Sequence, residues 1–213
     1  MNRLPGWVRQ HLAGLRTLLV FTVITGIIYP VAMWGVAQAA FHHQANGSLV
    51  SFHGRVVGSG LLCQEFVDSK GNPLPQYFQP RPSAALPVPT PKGDYGCDPT
   101  ASAASNLGPT NPVLVKDITM RQRQIAAFDG VKISQIPADA VTASGSGLDP
   151  DISPQYAYLQ ADRVAAARHV SPAAIRALVA RFVQGRVLGF LGEPVVNVLS
   201  LNIAHDRQFP LAG

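Results

Sequence analysis

Residues 17–41, TLLVFTVITGIIYPVAMWGVAQAAF, decide how this chain is organised. The stretch holds no charged residue and a single amide, Gln38. As an α-helix rising 1.5 Å per residue it would be ~37 Å long, which is enough to cross a ~30 Å hydrocarbon core with some tilt. The sequence therefore predicts one transmembrane helix at residues 17–41, near the N-terminus.

Two other interpretations of this stretch stay open. It resembles a cleaved signal peptide, because Ala37-Gln38-Ala39 fits an A-x-A cleavage site behind a basic segment, although the apolar run is longer than usual. It could also be a buried core helix, but a charge-free run of this length is rare in soluble domains. Pro30 does not exclude a membrane helix, since neighbouring helices can satisfy the freed carbonyl group.

The charges on either side of the apolar stretch predict its orientation. Residues 1–16 carry Arg3, Arg9 and Arg16 and no acidic residue. Positively charged flanks stay in the cytoplasm. We therefore expect a cytoplasmic basic tail at 1–16 and one extracytoplasmic domain at 42–213.

The basic pI of 9.6 does not indicate nucleic-acid binding. Of the 17 basic residues, the three in the tail set topology, and the rest nearly balance the 12 acidic residues. The charge therefore predicts no nucleic-acid partner. The chain has two cysteines, Cys63 and Cys97, both in the domain expected outside, where a disulfide is allowed.

The domain is predicted to be α+β. Residues 45–82 are rich in β-branched and aromatic residues broken by glycines, and 84–100 form a proline-rich loop without apolar periodicity. Helices are expected at about 112–129, 154–168 and 172–184, because each begins with a capping residue followed by proline: Asn111-Pro112, Ser153-Pro154 and Ser171-Pro172. A strand at 195–199 and a short helix at 200–205 complete the domain.

The sequence offers little chemistry of its own. A hydrolase would need Ser144 or Ser146 as nucleophile, with His169 or His205 as base and Asp149 or Asp206 as the residue that orients it, but the serines lack the G-x-S-x-G pattern. Asp149-x-Asp151 lacks the remaining ligands of a calcium loop. We expect no catalytic residue and no metal site.

The apolar helix itself suggests a partner. Gly26, Tyr29 and Pro30 lie near one helical face, and a small residue there would let another helix approach closely. The alternative is that glycine and proline are simply common in membrane helices.

Motifs along nearly the whole chain resemble those of KdpC, the C subunit of the Kdp-type potassium-transporting P-type ATPase. They are Tyr29-Pro30, Gln44 to Leu49, Tyr77-Phe78, Arg81-Pro82-Ser83, Ser105-Asn106-Leu107, Asn111-Pro112, Val141 to Asp149, Ile152-Ser153-Pro154, Arg163-Val164-Ala165, Ala167-Arg168, Gly192 to Leu199 and Leu201-Asn202. The chain departs from the pattern at Asp151, where many relatives have His, and in the longer loop 84–100.

The resemblance implies a non-catalytic accessory subunit of a potassium uptake pump in the bacterial inner membrane. Its partners would be a channel-like potassium-selective subunit, an ATP-hydrolysing subunit, a small membrane peptide and membrane lipid. The family is described as a catalytic chaperone that raises the ATP affinity of the hydrolysing subunit. No cofactor is expected to bind tightly, and ATP would act through the complex, with Gln155 at a helix start as a nominee for contact. The residues nominated for partner interfaces are Gly26, Tyr29, Pro30, Asn46, Arg81, Ser144 and Asp149.

We further expect Cys63 and Cys97 to form a disulfide, because an inserted loop without an apolar face needs a tether to be ordered. The alternative is two free thiols, with Cys63 buried as a small apolar residue. A second functional interpretation also remains, an exported soluble enzyme or binding protein released after Ala39.

Overall fold

A computed structural model describes residues 5–85 and 97–210. The chain divides into two compact units, Met1–Ser48 and Leu49–Gly213. Residues 1–4, 86–96 and 211–213 lie outside the described residues, and so do the predictions that concern them, including most of the proline-rich loop.

The first unit is built on one long apolar helix. Helix α1 (Gly6–Val23), a π-helical segment (Ile24–Ile28) and helix α2 (Tyr29–Ala40) follow one another without a break, and the short helix α3 (His42–Ala45) comes next. The continuous helix Gly6–Ala40 has a mean hydropathy of 1.9 in its most apolar window, so its length and composition suffice to cross a membrane. It begins well before residue 17, so the described part of the basic tail is helical.

The π-helical segment lies where proline enters the helix. The Pro30 ring lacks an N–H and would clash with the carbonyl group of residue 26 in a regular α-helix. The backbone N–H of Tyr29 donates to the carbonyl of Ile24, five residues back, which widens the turn. The helix therefore passes Pro30 without ending.

The second unit opens with a hairpin of strands β1 (Leu49–Phe52) and β2 (Arg55–Ser59), which pair antiparallel. The turn residues His53 and Gly54 both have positive φ, as a two-residue hairpin turn requires. The rest of the predicted β-rich region forms turns and one isolated bridge, between Val67 and Pro73. Repeated prolines there remove the N–H groups that a strand ladder needs.

The three predicted helices are present, and their caps explain where they begin. The third ends at Phe182, before the expected residue 184, because Val183–Gln184 form a strand. Helices α4 (Pro112–Asp129), α5 (Pro154–Ala167) and α6 (Pro172–Phe182) each start at proline. The side chains of Asn111, Ser153 and Ser171 accept hydrogen bonds from N–H groups in the first turns. Two short 3₁₀ turns, Ile133–Gln135 and Ala138–Ala140, follow α4.

A small antiparallel sheet completes the second unit. Strands β3 (Asp151–Ile152), β4 (Val183–Gln184) and β5 (Val195–Asn197) lie in the order β3-β5-β4. The expected strand at 195–199 is shorter, because the side chain of Asn197 accepts from the N–H of Ser200 and starts helix α7 (Val198–Gln208). For the same reason the last helix begins before residue 200.

The core of this unit forms where α5, α6, α7 and the sheet meet. Its fully buried members are mostly aliphatic, with Phe78 and Tyr156 as the large aromatic residues. The mixed helix-and-sheet composition that the sequence predicted is thereby confirmed.

Candidate functional site

The loop at 141–149, which carries several nominated residues, is fastened to the segment around Arg81. The Nη1 of Arg81 lies 2.8 Å from Asp149 Oδ2. The backbone N–H of Ser144 donates to the carbonyl of Pro82 over 2.9 Å, and the Ser83 hydroxyl donates to the carbonyl of Gly147 over 2.8 Å. The structure thus brings Arg81, Ser144 and Asp149 together.

The serines of this loop hold the turn. Ser144 is 3% exposed, and its Oγ accepts from the N–H of Gly147 and lies 3.3 Å from Ser146 Oγ. Gly147 has φ of 75°, and a Cβ there would come within 2.7 Å of the Ala103 carbonyl oxygen. These contacts describe a folded turn and show no nucleophile paired with a base.

His205, which a hydrolase would use as its base, packs between aromatic side chains. Its ring is fully buried, with ring centroids 6.2 Å from Phe78 and 5.8 Å from Phe209, and neither ring nitrogen finds a hydrogen-bond partner in the described part of the chain. Burial, together with the Arg168 charge, lowers the pKa of His205 to about 4. The residue is therefore neutral at pH 7.

An open cleft of about 470 Å³ lies beside the Arg81–Asp149 pair. Its lining side chains include Gln155, exposed in the first turn of α5. The charged residues in the lining are Arg81, Asp139, Asp149, Asp151 and Glu193. Four carboxyl groups therefore face one guanidinium group.

This cleft does not fit ATP. Arg81, the one cation among the described residues that line it, is already paired with Asp149, and Glu193 is paired with Arg186. The carboxyl groups of Asp139 and Asp151 remain, and their negative charge would repel a triphosphate. At the start of α5, two backbone groups that could bind a phosphate are not free for it. Pro154 has no N–H, and the N–H of Tyr156 already donates to the Ser153 hydroxyl. Among the described residues that line the cleft, Gln155 therefore has no unpaired cation beside it that could bind a phosphate group.

One carboxyl group of the cleft, that of Asp151, has a raised pKa. Burial raises the pKa of Asp151, and the nearby Asp149 charge adds to the rise, whereas the hydrogen bond from the Asn197 side chain opposes it. The Asn197 Nδ2 lies 3.0 Å from Asp151 Oδ1, so this hydrogen bond joins β3 to β5. Among the described residues, no three His, Cys, Asp or Glu side chains are grouped to hold a metal ion.

Sequence reasoning missed a buried polar network that explains several family motifs. Asn202 pairs with the backbone of Phe78 through two hydrogen bonds of 2.9 Å each. Gln160 does the same for Gln79, at 2.7 and 3.1 Å. Phe78 and Gln79 lie in no strand, so the two side-chain amides supply the hydrogen bonds that a neighbouring strand would otherwise give to their buried backbone.

Two arginines continue this network. The Nε of Arg163 lies 2.7 Å from Asp129 Oδ1, and its Nη1 donates to the carbonyl of Tyr77 over 2.9 Å. Burial raises the pKa of Asp129, and the Arg163 charge opposes the rise. Arg168 pairs with Asp206 and donates to the carbonyl of Phe209 over 3.0 Å. These motif residues hold the fold.

The other nominated residues lie in the first unit. Tyr29 and Pro30 are exposed, and no atom of residues 5–85 or 97–210 lies within 4 Å of a Cβ built on Gly26. Asn46 directly follows α3, and its Nδ2 donates a hydrogen bond to Gln38 Oε1 over 3.1 Å. The face around Gly26 is open to close approach by another chain.

Cys63 and Cys97 are bonded to each other, with Cα atoms 6.0 Å apart and exposures of 6% and 8%. The N–H of Cys97 donates to the Glu65 carboxylate. Burial raises the pKa of Glu65, and that hydrogen bond opposes the rise. The disulfide therefore joins the end of the proline-rich loop to the region that follows β2.

The chain is similar to known proteins over most of its length. Residues 11–207 match the model of the family described as KdpC, K+-transporting ATPase, c chain. A "Potassium-transporting ATPase KdpC subunit" of Sorangium cellulosum is 53% identical over 91% of this chain and 95% of its own length. Proteins of the same name from Beijerinckia indica and Mycobacterium tuberculosis are each 48% identical, over 95% and 93% of this chain and 96% and 98% of their own lengths. The chain therefore belongs to the KdpC family.

Proposed function

We propose that this chain is a non-catalytic accessory subunit of a potassium-transporting ATPase. The observation that supports this most strongly is the match to relatives named as subunits of that ATPase over nearly their full length. The contacts of the candidate serines and of His205 agree, because they serve packing and turn formation. The alternative of an exported soluble protein gains no support, because these relatives are named as subunits of the ATPase.

The membrane placement belongs to the same proposal. The helix Gly6–Ala40 anchors the chain in the bacterial inner membrane, and the arginines at its start keep the N-terminus in the cytoplasm. The second unit then faces outward. The partners would be the potassium-selective subunit, the ATP-hydrolysing subunit and the small membrane peptide of the same pump.

An effect on ATP affinity would be indirect. A domain outside the cell does not meet cytoplasmic ATP, and the acidic cleft beside Gln155 is unsuited to a triphosphate. We therefore propose that any rise in ATP affinity is a coupling between distant sites, carried through contacts with the partner subunits.

Orientation is tested with an impermeant thiol reagent. A single cysteine at the exposed Ile133, in a background with Cys63→Ser and Cys97→Ser, should be labelled in intact spheroplasts. The matched control is a cysteine at the exposed Gly6 near the start of the helix, which should be labelled only after lysis. The reverse pattern would place the second unit in the cytoplasm and overturn the proposed topology.

The non-catalytic role is tested at the loop. The double variant Ser144→Ala, Ser146→Ala should lower pump activity only as far as it lowers the amount of assembled complex. A complex that assembles fully with this variant but does not turn over would contradict the proposal.

A further inference from the structure

The turn formed by residues 144–149 is in direct contact with a cysteine of the disulfide. The N–H of Cys63 donates to the carbonyl of Leu148 over 3.0 Å, and Cys63 Sγ lies 3.3 Å from the carbonyl oxygen of Gly147. Cys63 is buried, so water competes little for these contacts. The region that follows β2 is thus fastened to the turn at Cys63.

A second segment, residues 98–110, also contacts this turn. The N–H of Ala103 donates to the carbonyl of Ser146 over 3.0 Å, and the Ser102 hydroxyl donates to the same carbonyl over 2.9 Å. The approach is close, because a Cβ built on Gly147 would come within 2.7 Å of the Ala103 carbonyl oxygen. Two hydrogen bonds therefore join segment 98–110 to the turn.

Segment 98–110 buries little surface by which it could stay in place. It forms no helix or strand, and none of its residues is buried. A stretch with few buried contacts opens locally at a low cost in free energy. The segment begins directly after Cys97, whose bond to Cys63 joins residues 34 positions apart. Such a cross-link restricts the open states of the chain, so it favours the ordered arrangement.

We propose that oxidation of Cys63 and Cys97 is a maturation step that orders segment 98–110 against the turn 144–149. In the reduced chain, the two hydrogen bonds to the Ser146 carbonyl open often, because the segment has few other contacts. In the oxidised chain, the disulfide keeps the start of the segment beside the residue that is fastened to the turn. The turn includes residues nominated for a partner interface, so this step also sets the shape of that surface.

The chemistry of the step is thiol–disulfide exchange. Each of the two thiols loses a proton, and the pair gives up two electrons as the S–S bond forms. A disulfide of an exported thiol–disulfide oxidant takes up the electrons and protons and becomes two thiols. Such oxidants act outside the cytoplasm. The step therefore follows export, a timing that rests on the proposed function, which places the second unit outside the cell.

Hydrogen exchange of single amides, measured by NMR on the full chain in mild detergent, tests the proposal. The N–H of Ala103 reports on the contact, because it donates to the turn. Its exchange should be at least about tenfold faster in the double variant Cys63→Ala, Cys97→Ala than in the oxidised wild type. The N–H of Ala161, in the buried part of α5, should exchange at the same rate in both.

Two comparisons separate the effect of the bond from the effect of the substitutions. Wild type reduced with dithiothreitol should exchange as the double variant does, and reoxidation with oxidised glutathione should restore slow exchange. Ser102→Ala keeps the disulfide and removes one of the two hydrogen bonds to Ser146, so it should accelerate exchange at Ala103 by a smaller factor. If the native disulfide resists reduction, the double variant and Ser102→Ala decide.

The outcomes distinguish this proposal from the proposed function. Unchanged exchange at Ala103 in the double variant would overturn the ordering of segment 98–110 by the disulfide. Equal acceleration at Ala161 would overturn it as well, because the disulfide would then support the whole unit. Neither result bears on the ATPase, since the chain is measured alone. A cytoplasmic second unit in the thiol-labelling test would instead overturn the proposed topology and the timing after export.

Discussion

Replacing Asn202 with alanine removes both hydrogen bonds that a side chain makes to the backbone of Phe78. Asn202 and Phe78 are 1% and 0% exposed, so water does not take over the lost partners. An unsatisfied buried donor or acceptor costs about 1–3 kcal/mol, so the two together should cost about 2–6 kcal/mol. For a chain of this size that corresponds to a fall in Tm of about 2–4 °C for each kcal/mol.

The assay is reversible denaturant unfolding of the full chain in detergent, followed by near-UV circular dichroism. The matched control is Asn111→Ala, which removes one exposed cap hydrogen bond, to the N–H of Val113 over 2.9 Å, and should cost about 1 kcal/mol. A loss at Asn202 no greater than the loss at Asn111 would refute the account of the buried network.

Three further predictions concern pH, the disulfide and the helix. In the unfolded chain, His205 takes up a proton below its ordinary pKa of 6.5. In the folded chain, the pKa of His205 is about 4, so the ring stays neutral until the pH is lower. Stability should therefore fall as pH drops through that window, by up to about 1.4 kcal/mol per pH unit, and His205→Leu should flatten this dependence. A dependence unchanged in His205→Leu would contradict the assignment to His205. Non-reducing mass spectrometry of freshly unfolded protein should show Cys63 and Cys97 joined, whereas two alkylatable thiols would contradict the pairing. Gly26→Leu should reduce co-purification with the pump, because the larger side chain separates packed helices; unchanged assembly would make that face lipid-exposed.

The parts of the fold that follow from local rules could be predicted from the sequence. The starts of α4, α5 and α6 were predictable because a capping side chain followed by proline satisfies the first turn without distant partners. The early start of α7 was missed because Asn197, its cap, also lies in an apolar run that is typical of a strand.

The long-range contacts could not be predicted in the same way. Nothing in the segment 75–79 shows that its backbone pairs with Gln160 and Asn202, because those partners lie far along the chain. At the candidate site, the sequence singled out Arg81 and Asp149 but not their mutual pairing, and it did not reveal the carboxylates around Gln155. The exposure of the apolar turn at 187–191 was overlooked because its residues are ordinary for a strand, and only their exposed side chains and the backbone angle of Leu188 distinguish them.

The central claim is that this chain is an accessory subunit on which the ATPase depends. The most direct test measures potassium-stimulated ATP hydrolysis by the pump purified from cells with and without this chain, over a range of ATP concentrations. The account predicts that the other chains, purified without it, assemble poorly or need more ATP to reach half their maximal rate, and that adding the chain back restores both. Equal yield of complex and the same dependence on potassium and ATP in its absence would contradict the account.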